Sequence, residues 1–195
     1  MLPVMKTARW SKWTLFMASL GWLLLAVASY LWIPLFRMSW LLMGLALSAF
    51  WLWAALWSFT MVMSYLSRKA YVRAFAALVI AMAVGGAIWT TDWKAVYVDS
   101  QFWLHRDEFS ALAAAYDSHE SLVAPWWMKY LSIDGQVQDQ GDALYLPVFE
   151  DWRAETGVGI AYLPNPSDSE TVVQTAAGDL GRPARDLGNG WWWVE

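Results

Sequence analysis

The chain of 195 residues contains no cysteine and only two histidines. The first absence excludes disulfides, cysteine-ligated zinc, iron–sulfur clusters and thiol nucleophiles. On one continuous helix, His105 and His119 would lie about 21 Å apart at a rise of 1.5 Å per residue. They would then share no metal ion, and His105 with Glu108 supplies too few ligands for zinc. A surface or helix-capping role is favoured for both histidines, and no metal site is expected.

Aspartate and glutamate are absent from the first 91 residues, although the chain contains 17 of them. Seven of the 13 lysines and arginines lie in this acid-free part, and the other six accompany all the acids in residues 92–195. Because charged side chains are costly in hydrocarbon, this division indicates that one half lies in a membrane and the other in water. The acidic half lacks the basic surface that nucleic acid requires, so no nucleic-acid partner is expected.

Three uncharged, apolar runs fill the first half, at residues 13–36, 38–66 and 74–91. About 20 apolar residues cross a bilayer core, and the backbone there must form its hydrogen bonds within the segment. The sequence therefore predicts an anchor of three transmembrane helices in the lipid bilayer. A cleaved signal peptide is the alternative for the first run, with a small-x-small site at Ala26-Val27-Ala28. The length of that run favours its retention as a span.

Basic residues near the ends of spans set the orientation of a membrane protein, because they stay on the cytoplasmic side. Three lie before the first span, one (Arg37) lies in the first loop, and three lie around the second loop. This pattern predicts a cytoplasmic N-terminal segment, residues 1–12, and an extracytoplasmic domain, residues 92–195. The residues on which this topology depends are Lys6, Arg9, Lys12, Arg68, Lys69 and Arg73.

Small residues recur at four-residue spacing in the third span, at Ala77, Ala81 and Gly85. Such spacing lets helix backbones approach closely. It predicts packing within the three-helix bundle in preference to a dimer face. Since no span contains an ionisable residue, ion transport by this chain alone is not expected.

Tryptophans lie in the middle of the second span, at Trp51, Trp53 and Trp57. Packing against neighbouring helices or lipid is the favoured interpretation, and no cofactor is predicted. A membrane-embedded site for a pigment, quinone or other lipid is the alternative.

A small α+β domain with a mostly antiparallel sheet is predicted for residues 92–195. Alternation in residues 93–98 suggests a first strand, and acids in the first turn of residues 107–116 indicate a short helix. Pro147 indicates an edge or a bulge, and Gly188-Asn189-Gly190 a turn. The remaining strands are expected at residues 130–137, 143–149, 157–163, 171–175 and 191–194.

Several segments of this half resemble a group of small, actinobacterial-type membrane proteins with a C-terminal extracytoplasmic domain. They are Phe102-Trp103-Leu104-His105-Arg106, Leu131-Ser132-Ile133-Asp134-Gly135, Leu144-Tyr145-Leu146-Pro147 and Leu187-Gly188-Asn189-Gly190-Trp191-Trp192. The last of these segments contains a Leu-Gly-x-Gly-Trp-Trp motif. The resemblance implies a domain type and a bacterial envelope setting, and it brings no activity with it.

Two groups of carboxylates are candidates for a catalytic, recognition or calcium site. Glu150, Asp151 and Glu155 flank Trp152, and paired carboxylates beside an aromatic residue are typical of glycoside hydrolysis. A charged recognition loop is favoured, and the hydrolase stays the alternative. Asp134, Asp139 and Asp142 do not have the spacing of an EF-hand loop, so a solvated hairpin is predicted there.

Tryptophan clusters are the other candidate contacts, and they lie at Trp126-Trp127 and at Trp191 and Trp193. In a strand, Trp191 and Trp193 point to the opposite side from Trp192. Exposed tryptophans mark protein interfaces or membrane surfaces, whereas buried ones would fill a thin core. We expect non-catalytic binding of a protein partner, which the acidic domain suggests is basic. An accessory subunit of an envelope complex or an immunity-type inhibitor would fit this description.

Overall fold

The computed structural model describes residues 5–133, 135–150, 153, 155–165 and 171–195, with side chains from residue 13 onward. It divides the chain into two compact units, Met1–Lys94 and Ala95–Glu195. The second unit is called the C-terminal domain below. Each unit has its own secondary structure and core, and each is described by itself.

The N-terminal unit is helical. Its helices are α1 (Met5–Tyr30), α2 (Trp32–Met38), α3 (Trp40–Ser67) and α4 (Tyr71–Thr90). Segments of three of them, Trp13–Tyr30, Trp40–Ser67 and Tyr71–Thr90, are long and apolar enough to cross a membrane. This confirms the predicted number of long apolar helices and corrects the end of the first one, which stops at Tyr30 and not at residue 36.

The end of α1 follows from a proline. Pro34 has no backbone N–H, so the carbonyl of Tyr30 loses its i+4 donor, and the proline ring clashes with that same carbonyl. The chain turns at Leu31, and α2 begins at the next residue. Ser39 then separates α2 from α3 and caps α3 by accepting a hydrogen bond from the backbone N–H of Leu42 at 3.3 Å.

Small residues let the apolar helices pack closely. A Cβ at Gly21 of α1 would lie 2.7 Å from Trp53 Cδ1 and 3.0 Å from the backbone of Ala54, both in α3. Gly85 of α4 faces Trp22 in the same way, at 3.0 Å. Since Ala77 and Gly85 are buried and Ala81 is half-buried, the predicted small-residue face of α4 lies within this unit.

Polar side chains in these helices form hydrogen bonds locally or between helices. Trp22 Nε1 donates to Ser58 Oγ at 3.1 Å, and Trp53 Nε1 donates to the carbonyl of Met17 at 3.3 Å. Ser48 Oγ donates to the carbonyl of Gly44 at 2.8 Å. Such bonds remove the cost of unpaired polar groups in hydrocarbon. The apolar side chains that remain exposed on α3, including Leu41, Leu42, Leu45, Leu52 and Leu56, form the surface that lipid would cover.

The C-terminal domain begins with two helices, α5 (Trp93–Leu104) and α6 (Arg106–Asp117). The prediction of a strand at residues 93–98 is wrong, because this segment is the first half of α5. Tyr97, Val98 and Phe102 are buried together. Neighbours such as Tyr97 and Val98 would point to opposite faces of a strand, but they share the broad apolar face of a helix. The helix predicted at residues 107–116 is confirmed.

After a short 3-10 helix at Trp126–Tyr130, the chain forms a five-stranded antiparallel sheet in the order β1-β2-β3-β7-β6. A separate two-stranded ribbon pairs β4 with β5. The strands are β1 (Gln138–Asp139), β2 (Leu144–Glu150), β3 (Gly157–Tyr162), β4 (Val173–Gln174), β5 (Leu180–Gly181), β6 (Pro183–Gly188) and β7 (Trp191–Val194). The predicted α+β domain with a mostly antiparallel sheet is therefore observed.

The agreement differs from strand to strand. The segments predicted as β2, β3 and β7 are strands, and the bulge indicated by Pro147 appears as a register shift between Pro147 and Phe149. The segment at residues 130–137 is not a strand, because it holds the end of the 3-10 helix and a turn with Gly135 at a φ of 71°. The sequence analysis did not predict β5 and β6.

Both faces of the sheet are covered. On one face, Phe109 of α6 contacts the Trp191 ring edge-on, with ring centroids 5.0 Å apart. On the other, Val173 of β4 packs with Tyr145, Ala161 and Val194 in one buried cluster. This two-sided cover explains why six consecutive residues of β2 are buried, since a strand with one wet face would alternate.

Tyr145 lies in this second face, against a glycine. A Cβ at Gly159 would lie 2.5 Å from the Tyr145 hydroxyl and 2.5 Å from the carbonyl oxygen of Leu146, so no larger residue fits there. Burial is the largest cause that raises the pKa of the Tyr145 phenol well above its ordinary value; the nearby Asp179 carboxylate raises it further, while the backbone of Ala176 opposes the shift.

We expect the domain to lose stability above about pH 10, the ordinary tyrosine pKa. There the unfolded chain releases the Tyr145 proton while the folded chain keeps it, at a slope of up to about 1.4 kcal/mol per pH unit. Below that pH both states hold the proton, and this group contributes no slope. Thermal unfolding of the full chain in detergent between pH 8 and pH 11 measures the effect. Tyr145→Phe is the control and should lose much of the decline; an unchanged decline would contradict the assignment.

Candidate functional site

An open groove of about 380 Å³ lies in the C-terminal domain between two helices and the sheet edge. Its walls come from the second half of α5, the first residue of α6 and the strand β6, which has β7 as its one neighbour among the described strands. The lining residues are Asp99, Phe102, Trp103, Arg106, Arg185, Asp186 and Leu187. Two arginines, two aspartates and a tryptophan therefore face one cleft.

An ion pair crosses the groove. Arg185 Nη1 lies 2.7 Å from Asp99 Oδ2, and the two side chains are 37% and 50% exposed. A charge-assisted contact of this length is well formed, but its partial exposure to water makes its net contribution to stability small. The pair holds the β6 side chain against α5 and leaves both charges within reach of a ligand.

The second arginine is held by a turn. Arg106 Nη2 donates to Asn189 Oδ1 at 3.3 Å. Asn189 and Gly190 have positive φ angles of 56° and 80°, as a two-residue hairpin of the type I′ class requires. Gly188-Asn189-Gly190 is thus the turn predicted from sequence, and it also positions a guanidinium beside the groove.

Trp103 is the most exposed large apolar residue of the groove, at 77%. Its neighbour Phe102 points inward and contacts Phe109, with ring centroids 4.9 Å apart. Asp186 accepts a hydrogen bond from the backbone N–H of Gly188 at 2.7 Å, which orients its carboxylate. The groove therefore combines a packed apolar floor at Phe102, the exposed indole of Trp103 and a carboxylate, Asp186, whose orientation is set by a hydrogen bond.

The tryptophans proposed from sequence divide between surface and core. Trp126 is 75% exposed, whereas Trp127, Trp191 and Trp193 are buried. Trp191 contacts Phe109 and Tyr162, and Trp127 stacks on the His105 ring with centroids 3.7 Å apart. These three buried indoles fill the core, so we do not count them as contact residues. Trp192 is half-buried and packs on the opposite face of the sheet.

The described residues of the predicted carboxylate loop do not line the groove. Glu150 ends β2, and Glu155 is exposed in the connection to β3. Asp151 and Trp152, like Asp134, lie outside the described residues, and so do the side chains of Lys6, Arg9 and Lys12. Among the described residues that line the groove, none comes from this loop.

The other polar groups form structural contacts. His105 Nδ1 lies 3.7 Å from Glu108 Oε1, and His119, with a φ of 54°, lies two residues after the end of α6, where its backbone N–H donates to the carbonyl of Tyr116. The Tyr162 hydroxyl donates to Asp117 at 2.8 Å. Burial is the largest cause that raises the pKa of Tyr162, and the hydrogen bond to Asp117 and the charge of that carboxylate raise it further. Asp139 accepts from the Gly141 N–H at 2.8 Å, which fits the predicted hairpin loop. In the part of the chain that the structure describes, no group of three or more His, Asp or Glu is placed to hold a metal ion.

Mid-span tryptophans pack between helices. The Trp51 ring contacts Trp22 and Trp89 edge-on, at centroid distances of 5.7 and 6.2 Å. Trp53 packs at 6.3 Å from Trp57 of the same helix, and its Nε1 donates to the carbonyl of Met17 in α1. The contacts of Trp51 and Trp53 with other helices match the helix-packing interpretation.

No family model, curated protein or solved structure matches the chain. The bacterial envelope setting that the sequence resemblance implies therefore stays a prediction, and the function must be argued from the groove.

Proposed function

We propose that this chain is a multi-pass protein of the bacterial cytoplasmic membrane that presents its C-terminal domain outside that membrane to bind a protein partner without catalysis. The basic residues near the span ends support this orientation, with Arg68, Lys69 and Arg73 grouped around the α3–α4 connection. Because such positive charge favours the cytoplasmic side, this grouping supports a position of the domain after α4 on the other side of the membrane.

The observation behind the binding role is the uncovered Trp103 beside the Arg185–Asp99 ion pair at the mouth of an open groove. Tryptophan and arginine are the residues that most often supply binding energy at protein interfaces. A partner side chain in the groove would cover Trp103 and exclude water from the ion pair, which strengthens both contacts.

The shape of β6 indicates how a partner would bind. This edge strand begins with Pro183, and its pairing with β7 is irregular between Pro183 and Arg185 and between Asp186 and Gly188. Such features blunt a sheet edge against the addition of another strand. We therefore propose that the partner inserts side chains into the groove and does not extend the sheet.

The charge of the domain indicates the kind of partner. Residues 92–195 contain all 17 acids and six bases, so the field around the domain is negative. A negative surface speeds the approach of a basic partner and suppresses acidic ones. An accessory role in an envelope complex and an immunity-type inhibitory role both follow this pattern.

The test is affinity purification of the full chain from native membranes in mild detergent, in three forms. We expect wild type to retain a partner at a fixed stoichiometry and in a salt-sensitive way. Trp103→Ala should weaken the association about 30-fold, the effect of losing an interface residue worth about 2 kcal/mol. Leu180→Ala, a change of a large apolar residue that is 69% exposed in β5 and does not line the groove, is the control and should leave retention intact. Retention that is indifferent to Trp103, or the absence of any specific partner, would refute the proposal.

A further inference from the structure

A second exposed surface of the C-terminal domain combines apolar, aromatic and basic side chains. We call it the aromatic patch, and it consists of Val123, Trp126, Lys129 and Tyr130. Val123 and Trp126 are each 75% exposed, and Tyr130 is 52% exposed. Trp126 and Tyr130 meet edge-on with ring centroids 6.3 Å apart, and Lys129 Nζ lies 6.0 and 5.2 Å from those two centroids.

The backbone of this patch is fastened to the start of the domain. The Tyr97 hydroxyl donates to the carbonyl of Tyr130 at 3.1 Å. Tyr97 is buried in the second turn of α5, four residues after that helix begins at Trp93. The patch is therefore attached to the part of the domain that follows the last apolar helix most closely in the chain.

The chain between α4 and this hydrogen bond is short. From Thr90, the last residue of α4, three residues reach Trp93, which is at most about 11 Å of extended chain. The four residues from Trp93 to Tyr97 add about 6 Å of helical rise. The Tyr130 backbone is thus tied by a short stretch of chain to the end of an apolar helix that is long enough to span a bilayer, so even a weak affinity for the membrane surface would act.

The chemistry of the patch fits a lipid headgroup layer. Tryptophan and tyrosine are enriched at membrane–water interfaces, where their rings lie among the headgroups and glycerol esters. Lysine is attracted to the phosphates of anionic lipids. Lys129 is the one lysine after Lys94 in an otherwise acidic half of the chain, and it lies between the two aromatic rings.

From these observations we propose that the aromatic patch docks on the headgroup surface of the same bilayer that α1, α3 and α4 span, with Lys129 beside the lipid phosphates. Docking would hold the C-terminal domain in one orientation. The proposal requires insertion of the three apolar helices and does not depend on what the groove binds.

The absence of cysteine makes a direct test possible, because one introduced cysteine can be labelled alone. The full chain with Val123→Cys is labelled with an environment-sensitive fluorophore and placed, one molecule per disc, in nanodiscs that contain headgroup-nitroxide lipid. We expect strong quenching at position 123. Leu180→Cys, at a position 69% exposed in β5, is the control and should stay unquenched.

Two substitutions in the Val123→Cys background test the residues of the patch. One basic residue near an anionic surface contributes about 1 kcal/mol, so Lys129→Glu should lower the ratio of docked to undocked molecules at least fivefold. Trp126→Gln should lower it as well. If thermal unfolding shows that Lys129→Glu or Trp126→Gln does not fold, Lys129→Gln is measured in its place. Equal quenching at positions 123 and 180, or quenching that these changes leave unaltered, would overturn the proposal. Since the discs contain no partner protein, neither result depends on the proposed binding function.

Discussion

Replacement of Trp191 by alanine is expected to destabilise the C-terminal domain by about 3–5 kcal/mol, the range for removing a large aromatic side chain from a core. Trp191 is 1% exposed and contacts Phe109 of α6 and Tyr162 of β3, with ring centroids 5.0 and 5.4 Å away. Alanine would leave a cavity where α6 meets the sheet. A loss of this size is comparable to the whole stability of many small domains.

Pulse proteolysis of the full chain in urea, with the helices held in nanodiscs, measures this loss. The wild-type C-terminal domain should resist cleavage in native buffer, whereas Trp191→Ala should be cleaved without denaturant or at a much lower urea concentration. Trp103→Ala is the control because it removes an equally large but exposed indole, and surface changes of this kind stay within about 0.5 kcal/mol. Equal cleavage of the two variants would show that Trp191 is not a core residue.

The three consecutive tryptophans at the C-terminal end illustrate what alternation can predict. It places Trp191 and Trp193 on one face of β7 and Trp192 on the other, and the structure has that arrangement. Alternation does not tell which face is buried. That depends on α6 and on the β4–β5 ribbon, which cover opposite faces of the sheet and whose positions follow from contacts distant in sequence.

The two wrongly predicted strands, at residues 93–98 and 130–137, are each inferred from a short stretch of sequence. Six residues at 93–98 do not separate a strand from a helix, and only the extension to Phe102 reveals the buried helical face. Likewise, alternation at residues 130–137 hides a turn at Gly135, where a Cβ would approach the Lys129 side chain at 3.1 Å. The three long apolar helices were predictable because each run is several times longer than such a window.

The groove could not be predicted from local patterns. Its ion pair joins Asp99 to Arg185, and its second arginine reaches Asn189, across 86 and 83 positions of sequence. Each of these residues by itself resembles an ordinary solvated side chain. The one local signal is Gly188-Asn189-Gly190. This segment predicts a turn, but it does not indicate that the turn supports Arg106.

Leucine at Gly21 and leucine at Gly44 are expected to act in opposite directions, although both glycines lie inside long apolar helices. Leucine favours helix over glycine by nearly 1 kcal/mol, so propensity favours both changes. Nothing lies within 4 Å of a Cβ at Gly44, and its side chain would extend into open space. At Gly21 a Cβ already meets Trp53 and the Ala54 backbone, so leucine must force α1 away from α3. Overpacking of this kind costs about 1–3 kcal/mol and occasionally more.

Unfolding of the full chain in mixed micelles, followed as the loss of helical circular dichroism with rising SDS, compares the two variants. Gly44→Leu should unfold at the wild-type SDS fraction or above it, whereas Gly21→Leu should unfold well below it. Separation of α1 from α3 would also break the hydrogen bonds from Trp53 to Met17 and from Trp22 to Ser58. A blue shift or intensity change in tryptophan emission should therefore accompany Gly21→Leu alone. If both variants unfolded together, α1 and α3 would not form the close contact through which Gly21 faces Trp53 and Ala54.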